Sequence, residues 1–270
     1  MSSTVNYPIP PTDAPDSVFA GLRRFNLIMG VFHLIQGIAM IALSTDFTFT
    51  TSTLYLQAIF ENDTVRLEQN LQQAFDVPFG PAVALFLLIS AVAHFLLGTV
   101  GYDWYVKNLK RTMNPARWYE YAFSSSLMIV LIGMLVGVYD VATLLLMFGI
   151  NAMMNLFGLM MELHNQTTEK TDWTAYIYGW IAGAFPWVVI IMYLIGATQS
   201  VDTEVPGFVY AIIASIFVFF NIFALNMWLQ YRGVGPWKNY LFGERAYIVL
   251  SLVAKSLLAW QIWFGQLQPA

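Results

Sequence analysis

The sequence has no cysteine and few charged residues. Without cysteine, a disulfide framework, a thiolate metal site and a cysteine nucleophile are excluded. Only 10% of the residues are charged, against about 25% in a typical soluble domain, which is too few to cover a soluble globule. No basic block suggests binding to nucleic acid. No secretory signal peptide is expected either, because the first 20 residues are polar and rich in proline.

Long apolar runs take the place of the missing charge. Hydrophobic residues make up 58% of the chain, and its mean hydropathy is +0.62. Seven segments of roughly 20 residues are each long enough to cross a hydrocarbon core of about 30 Å. We therefore predict an all-α membrane protein, a bundle of seven transmembrane helices in a single domain, 1–270. The predicted helices are approximately 20–44, 80–105, 115–138, 141–164, 173–197, 207–231 and 243–266.

The basic residues are distributed unevenly between the two sets of predicted loops. Nearly all of the 12 lysines and arginines fall on the side that holds the N-terminus, and the opposite side holds only Arg66. By the positive-inside rule, the N-terminus is expected in the cytoplasm and the C-terminus outside the cell membrane. The one long connection, 45–79, is then extracellular. Its threonine and aromatic residues predict a short β-hairpin between helices 1 and 2.

Four ionisable residues lie well inside the predicted spans, where each costs roughly 2.5–3.5 kcal/mol on insertion scales. They are His33, His94, Glu120 and Lys255. Lys255 lies ten residues beyond Arg245, so its Cα is roughly 15 Å from the edge of the membrane. A lysine at that depth must be paired, neutral or covalently converted.

The predicted depths of these residues are compatible with one cluster. Glu120 lies in the half of the membrane toward which the amine of Lys255 points, and Ser251 precedes Lys255 by one turn on the same face. His33 and His94 each lie roughly 13–14 Å from the same edge. We therefore expect these five polar groups, on four helices, to lie close together.

The residues alone leave other interpretations open. Lys255 and Glu120 could form a structural ion pair, and the two histidines could either join helices by hydrogen bonds or handle protons. A metal site is disfavoured, because the sequence has no closely spaced pair of histidines. Near the helix ends, Glu162 is expected to be solvated and Trp118 to be an interfacial anchor.

The third predicted helix carries a polar stripe. At 100° per residue, a single arc contains Glu120, Tyr121, Ser124, Ser125 and Met128. Such a stripe faces protein or trapped water rather than lipid, although the serines could equally be small residues that allow close packing. Aromatic residues deep in helices 5 and 6 are candidates for the wall of an apolar pocket, namely Phe185, Trp187, Phe217 and Phe220.

Three stretches of the chain resemble the heliorhodopsins. RWYEY at 117–121 with SSS at 124–126 is similar to the helix-3 signature of that family. GPWKNY at 235–240 resembles its connection into helix 7, and SLVAKS at 251–256 resembles its retinal-lysine segment. The inverted orientation and the long first outer loop agree, and the resemblance covers nearly the whole chain.

The resemblance implies a light-sensing photoreceptor rather than an enzyme. Lys255 would carry all-trans retinal as a Schiff base, and Glu120 would be its counterion. Ser251 would hydrogen-bond near the Schiff base, and His33 and His94 would line a polar inner cavity. The other pocket residues expected are Tyr121, Ser125, Met128, Asn151, Trp187 and Phe220.

The resemblance also implies a homodimer that signals to a partner still to be identified. The alternative is a light-driven or light-gated proton transporter. Proton pumps of the ordinary rhodopsins have a second carboxylate four residues before the lysine, where this chain has Ser251. The outer halves of the predicted helices also lack carboxylates, which favours a sensor over a pump.

Overall fold

The computed structural model describes residues 8–61, 64–200 and 204–267. Within them, seven helices are long and apolar enough to cross a membrane, and a two-stranded antiparallel sheet lies between the first two. The predicted fold class is therefore confirmed. The remaining parts of the predicted domain lie outside the described residues, namely 1–7, 62–63, 201–203 and 268–270.

The described elements follow one another as one helix, a hairpin and seven further helices. The hairpin strands are β1 (Thr48–Glu61) and β2 (Thr64–Pro78). The helices are α1 (Asp16–Leu43), α2 (Phe79–Gly98), α3 (Tyr102–Lys110), α4 (Pro115–Leu135), α5 (Val141–His164), α6 (Thr174–Gln199), α7 (Gly207–Arg232) and α8 (Tyr240–Ile262). A 3₁₀ turn (Gly235–Lys238) precedes α8, and a π-helical turn (Trp263–Leu267) follows it. By length and hydropathy, all of these α-helices except α3 can span a membrane.

The structure divides the second predicted helix, 80–105, into two. The first part, α2, ends at Gly98, and the Gly101 amide then donates a hydrogen bond of 2.8 Å to the Leu96 carbonyl. A Cβ atom at Gly101 would lie 2.9 Å from that carbonyl oxygen, so a residue without a side chain is needed there. This tight turn separates α3 from α2, and the apolar pattern alone does not reveal it.

Side-chain caps fix the start of three spans. Asn114 accepts a hydrogen bond from the amide of Arg117 at the start of α4, where Pro115 occupies the first turn. Asp140 caps α5 through the amide of Thr143, at 2.8 Å. These caps satisfy amides that have no partner within the helix, and so they set where each functional side chain falls along its helix.

The hairpin is longer than the short one predicted from the sequence. Its two strands have 14 and 15 residues. It is joined to the bundle where the Ser52 amide donates to the Tyr139 carbonyl at 2.8 Å. Its register alternates apolar and polar pairs, such as Leu54 with Leu71 and Tyr55 with Asn70. One face of the ribbon is therefore apolar and the other polar.

The two ends of the bundle differ in character. We call the end that carries β1 and β2 the hairpin side, and the end where α1 and α8 begin the N-terminal side. The core toward the hairpin side is apolar and includes Phe86, Ile132 and Ile262. The buried charges lie deeper in the bundle and toward the N-terminal side.

Candidate functional site

A buried ion pair joins α4 and α8 inside the bundle. The Lys255 Nζ atom lies 3.1 Å from Glu120 Oε1 and donates a 2.7 Å hydrogen bond to Ser251 Oγ. The side chains of Lys255 and Glu120 are only 4% and 9% exposed. Because an unpaired ammonium is costly at such a position, the carboxylate and the hydroxyl are what allow the lysine to be buried there.

A second hydroxyl, on α2, also contacts the carboxylate. Ser90 Oγ donates a 2.6 Å hydrogen bond to Glu120 Oε1, the same oxygen that faces Lys255. The sequence gives little sign of this role, because a lone serine in a membrane span usually bonds its own helix. The Ser90 oxygen also lies 3.2 Å from the Phe86 carbonyl of its own helix, but its one hydroxyl proton is closer to Glu120. Glu120 is thus held from two helices.

Lys255 also faces a cavity of about 370 Å³ between α4, α5, α6, α7 and α8. The Lys255 ammonium lies 5.0 Å from the centre of the Tyr121 ring, which forms part of the wall. Most of the wall is apolar or aromatic. The predicted pocket residues that line this cavity are Tyr121, Ser125, Met128, Trp187, Phe217, Phe220 and Ser251.

Aromatic rings of α6 and α7 form one wall of the cavity. The Trp187 ring meets Phe217 and Phe220 edge to face, with centroids 5.2 and 5.7 Å apart. Pro186 immediately precedes Trp187 within α6. The prediction that Phe185 belongs to this wall is wrong, because its side chain is 57% exposed. Two positions along a helix turn a side chain by about 200°, so Phe185 points away from the side that Trp187 faces.

Asn151 lies behind the cavity wall. Its Nδ2 atom donates to Ser125 Oγ at 2.9 Å and to Ser126 Oγ at 3.1 Å. The wall itself is formed by Asn155, one turn later on α5, which donates to the same Ser125 hydroxyl at 2.9 Å. The predicted pocket asparagine therefore supports the wall through Ser125. Asn155 was missed because the family resemblance pointed to Asn151 alone, one turn earlier on the same helix.

The two histidines lie on the other side of the ion pair. The His33 and His94 rings stack, with centroids 5.5 Å apart and planes inclined by 14°. His94 lines a small polar pocket of about 30 Å³ together with Ser90, Glu120 and Ser251. His33 is fully buried, and neither of its ring nitrogens has a hydrogen-bond partner among the described residues. The five polar groups predicted to cluster are thus brought together.

A second group of buried charges lies nearer the N-terminal side. The Arg117 guanidinium forms ion pairs with Glu162 of α5 and Glu244 of α8, and all three side chains are almost fully buried. It also packs over the Tyr247 ring, 3.9 Å from the ring centre. The arrangement of one cation between two carboxylates was not predicted from the sequence.

Two expectations about this region are wrong. Glu162 is only 2% exposed rather than solvated. The backbone amide of Asn114 and the Nε1 atom of Trp118 each donate a 2.8 Å hydrogen bond to Glu162 Oε2. Trp118 is buried and lines the cavity instead of anchoring the interface. The physical reason is that the turn into α4 folds over the end of α5. It therefore covers Glu162, which the sequence places at the edge of the membrane.

Hydrogen bonds connect this charge group to the histidines. Glu244 Oε1 accepts from Tyr105 OH at 2.9 Å, and Asn26 Nδ2 donates to the Tyr105 oxygen at 3.3 Å. Asn26 Oδ1 in turn lies 2.8 Å from His94 Nδ1. A buried polar path therefore runs from beside Glu120 toward the N-terminal side, whereas the core toward the hairpin side is apolar.

Seven membrane spans, a lysine in the last of them paired with a buried carboxylate, and an aromatic cavity at its amine define a protein of the rhodopsin class. A protein-family model described as Heliorhodopsin matches residues 22–267, and the chain belongs to this family. The resemblance predicted from the sequence is confirmed. A comparison with curated proteins gave no match.

Membership of this family establishes the broad function. The chain is a multi-pass membrane protein and a retinal photoreceptor of the microbial rhodopsin type. The family is a photoreceptor family rather than a classical enzyme family.

Proposed function

We propose that the chain is a single light-sensing domain in which all-trans retinal is joined to Lys255 as a Schiff base and Glu120 is the counterion. The observation that carries the proposal is the buried Lys255 amine, which contacts Glu120 at 3.1 Å and also faces the aromatic cavity. A purely structural ion pair would have no need of a cavity at the amine.

The cavity suits an elongated apolar aldehyde. Its volume of about 370 Å³ is within the roughly 300–1,000 Å³ of typical small-molecule pockets, and its walls are mainly apolar. When bound, retinal supplies absorption of visible light and a double bond that isomerises. Attachment is a condensation in which the Lys255 nitrogen replaces the aldehyde oxygen and water leaves.

The residues around the amine then have distinct tasks. Glu120 balances the positive charge at the Lys255 nitrogen, and Ser90 and Ser251 fix the positions of the carboxylate and the nitrogen. If light moves the nitrogen away from Glu120, its proton can pass into the polar pocket that Glu120 shares with His94. The altered charge then biases the helices between two arrangements.

Attachment can be tested directly by reduction and peptide mapping. Borohydride applied to the retinal-loaded protein should fix the chromophore to one peptide, the one that contains Lys255. Lys238→Ala, which removes an exposed lysine, should leave the labelling unchanged, and Lys255→Ala should abolish it. Labelling spread over several lysines, or persisting without Lys255, would contradict the assignment.

Signalling is favoured over transport by the asymmetry of the bundle. Polar groups lead from Glu120 toward the N-terminal side, but the core toward the hairpin side is built from apolar side chains such as Met128, Ile129 and Leu258. Ser251 stands where ordinary pumps have a second carboxylate. Illuminated cells or vesicles that contain the protein should therefore show no net pH change or current. A reproducible flux that depends on Lys255 would support the transporter alternative.

We also propose that the N-terminus is cytoplasmic, as the uneven distribution of basic residues indicates. A separate proposal is that two copies of the chain pair through the hairpin. The apolar face of the hairpin is exposed, with Leu56 at 69% and Phe60 at 77%, which is unusual for a surface without a partner. Because the chain has no cysteine, an introduced one is unique. Leu56→Cys should form an intermolecular disulfide, whereas Tyr55→Cys, on the opposite face, should not. Equal cross-linking of both variants would count against pairing through this face.

A further inference from the structure

The short helix α3 presents a surface that neither the retinal site nor the hairpin uses. Its nine residues follow the membrane span α2 after a three-residue turn. Tyr105, Asn108 and Leu109 are buried, whereas Trp104 and Lys107 are exposed. The helix is therefore amphipathic and lies where a membrane span reaches the surface of the bilayer.

The buried face fixes the orientation of α3. Leu109 and Tyr105 pack into an apolar cluster with Phe19 and Leu22 of α1. The Tyr105 hydroxyl also donates to the buried carboxylate of Glu244. Because these contacts hold the helix firmly, its outward face is a fixed feature of the molecule.

The outward face combines apolar and cationic side chains. Val100, in the turn before α3, is 86% exposed and Trp104 is 48% exposed. Exposed tryptophan beside a membrane span is typical of the headgroup layer. Lys107 follows Trp104 by three residues, so the two side chains lie on one side of the helix, and Arg111 follows Lys107 by four residues as the C-cap of α3.

The cations of this region differ in whether they already have partners. Lys110 lies 3.7 Å from Asp16, and Arg23 donates to the Gly98 carbonyl at 2.8 Å. Within the described residues, the side chains of Lys107 and Arg111 form neither an ion pair nor a hydrogen bond, although the exposed carboxylate of Asp103 is nearby on the same helix. Two unpaired cations one turn apart, next to exposed tryptophan, suit a phosphate group at the level of the lipid headgroups.

We propose that Lys107 and Arg111 bind the headgroup phosphate of an anionic phospholipid, with Trp104 and Val100 against its glycerol and upper acyl region. The positive charge complements the lipid phosphate, and the exposed apolar side chains match the adjoining acyl chains. This site is independent of retinal binding.

The test measures the affinity of the detergent-solubilised full chain for phosphatidylglycerol and for phosphatidylcholine by native mass spectrometry. Lys107→Gln/Arg111→Gln should weaken phosphatidylglycerol binding roughly 30-fold at low salt, because each basic residue near the membrane surface contributes about a fivefold factor. Binding of phosphatidylcholine should not change. The loss should shrink in high salt, which screens exposed charges.

Two control variants distinguish binding at a specific site from a general effect of positive charge and from misfolding. Lys170→Gln/Lys238→Gln removes two exposed cations elsewhere on the same side and should leave the affinity unchanged. Lys107→Arg/Arg111→Lys keeps both charges and should retain binding. Equal affinities in all variants, or equal loss in both glutamine variants, would overturn the proposal. So would displacement of the lipid by inorganic phosphate at matched ionic strength, which would indicate a site for the free anion.

Discussion

Replacement of Arg117 should be far more damaging than replacement of either of its partners. Arg117→Met removes the cation that pairs with both Glu162 and Glu244 and leaves two carboxylates buried without that partner. Breaking a buried ion pair from one side costs about 3–5 kcal/mol. The methionine itself should pack acceptably, because it replaces a side chain that lies 3.9 Å from the centre of the Tyr247 ring.

The carboxylates should respond differently. Glu162→Gln or Glu244→Gln leaves Arg117 paired with one carboxylate, but it replaces one acceptor oxygen with an NH₂ group that faces existing donors, which costs about 1–3 kcal/mol. The triple variant Arg117→Met/Glu162→Gln/Glu244→Gln contains no buried charge at this site. It should therefore be more stable than Arg117→Met alone, because the unpaired carboxylates account for most of the loss.

The assay is unfolding by sodium dodecyl sulfate in mixed micelles, followed by circular dichroism. All proteins are prepared without retinal, because a ligand bound to the folded state adds stability. Arg24→Met, which removes an exposed arginine of α1, is the control and should change the free energy of unfolding by less than about 0.5 kcal/mol. The reasoning is refuted if Arg117→Met behaves like this control, or if the triple variant is no more stable than the single one.

Three further substitutions should each shift an absorption band or a melting temperature in a stated direction. Glu120→Gln should shift the visible absorption band to the red and favour loss of the Schiff-base proton; an unshifted spectrum would mean that another group is the counterion. Ser90→Ala removes a donor to Glu120 Oε1, which leaves more negative charge facing the Lys255 nitrogen, so it should give a smaller shift to the blue. A red shift in the Ser90→Ala variant would contradict the hydrogen bond from Ser90 to Glu120. In the connection before α6, hydrogen bonds from Thr174 hold the pKa of Asp172 below its usual value. Asp172→Asn should therefore lower the melting temperature at neutral pH, and the difference should vanish as the pH falls through the pKa of Asp172; a deficit that is independent of pH would argue against this role.

The membrane spans and the central pair were predictable because strong physical constraints act on single residues. A run of about 20 apolar residues has few alternatives to a membrane helix. A lysine or glutamate inside such a run requires a partner, so Lys255 and Glu120 were expected to meet, and they lie 3.1 Å apart. Ser251 followed from helical spacing alone.

The features that were missed depend on how segments fold over one another. Glu162 lies at the end of α5, where the sequence indicates solvent, but the turn into α4 covers it and supplies donors. The start of α3 depends on one close approach at Gly101, within a stretch that reads as continuous apolar helix. Ser90 reaches Glu120 across the interface of α2 and α4, and the spacing along either helix does not reveal that contact.

The central claim is that Lys255 carries retinal beside Glu120. The most direct measurement is the visible absorption spectrum of the purified protein expressed with all-trans retinal, compared with Lys255→Ala prepared in the same way. We predict a band well to the red of free retinal that is absent from the variant. Folded protein with no such band, or an equal band in Lys255→Ala, would contradict the account.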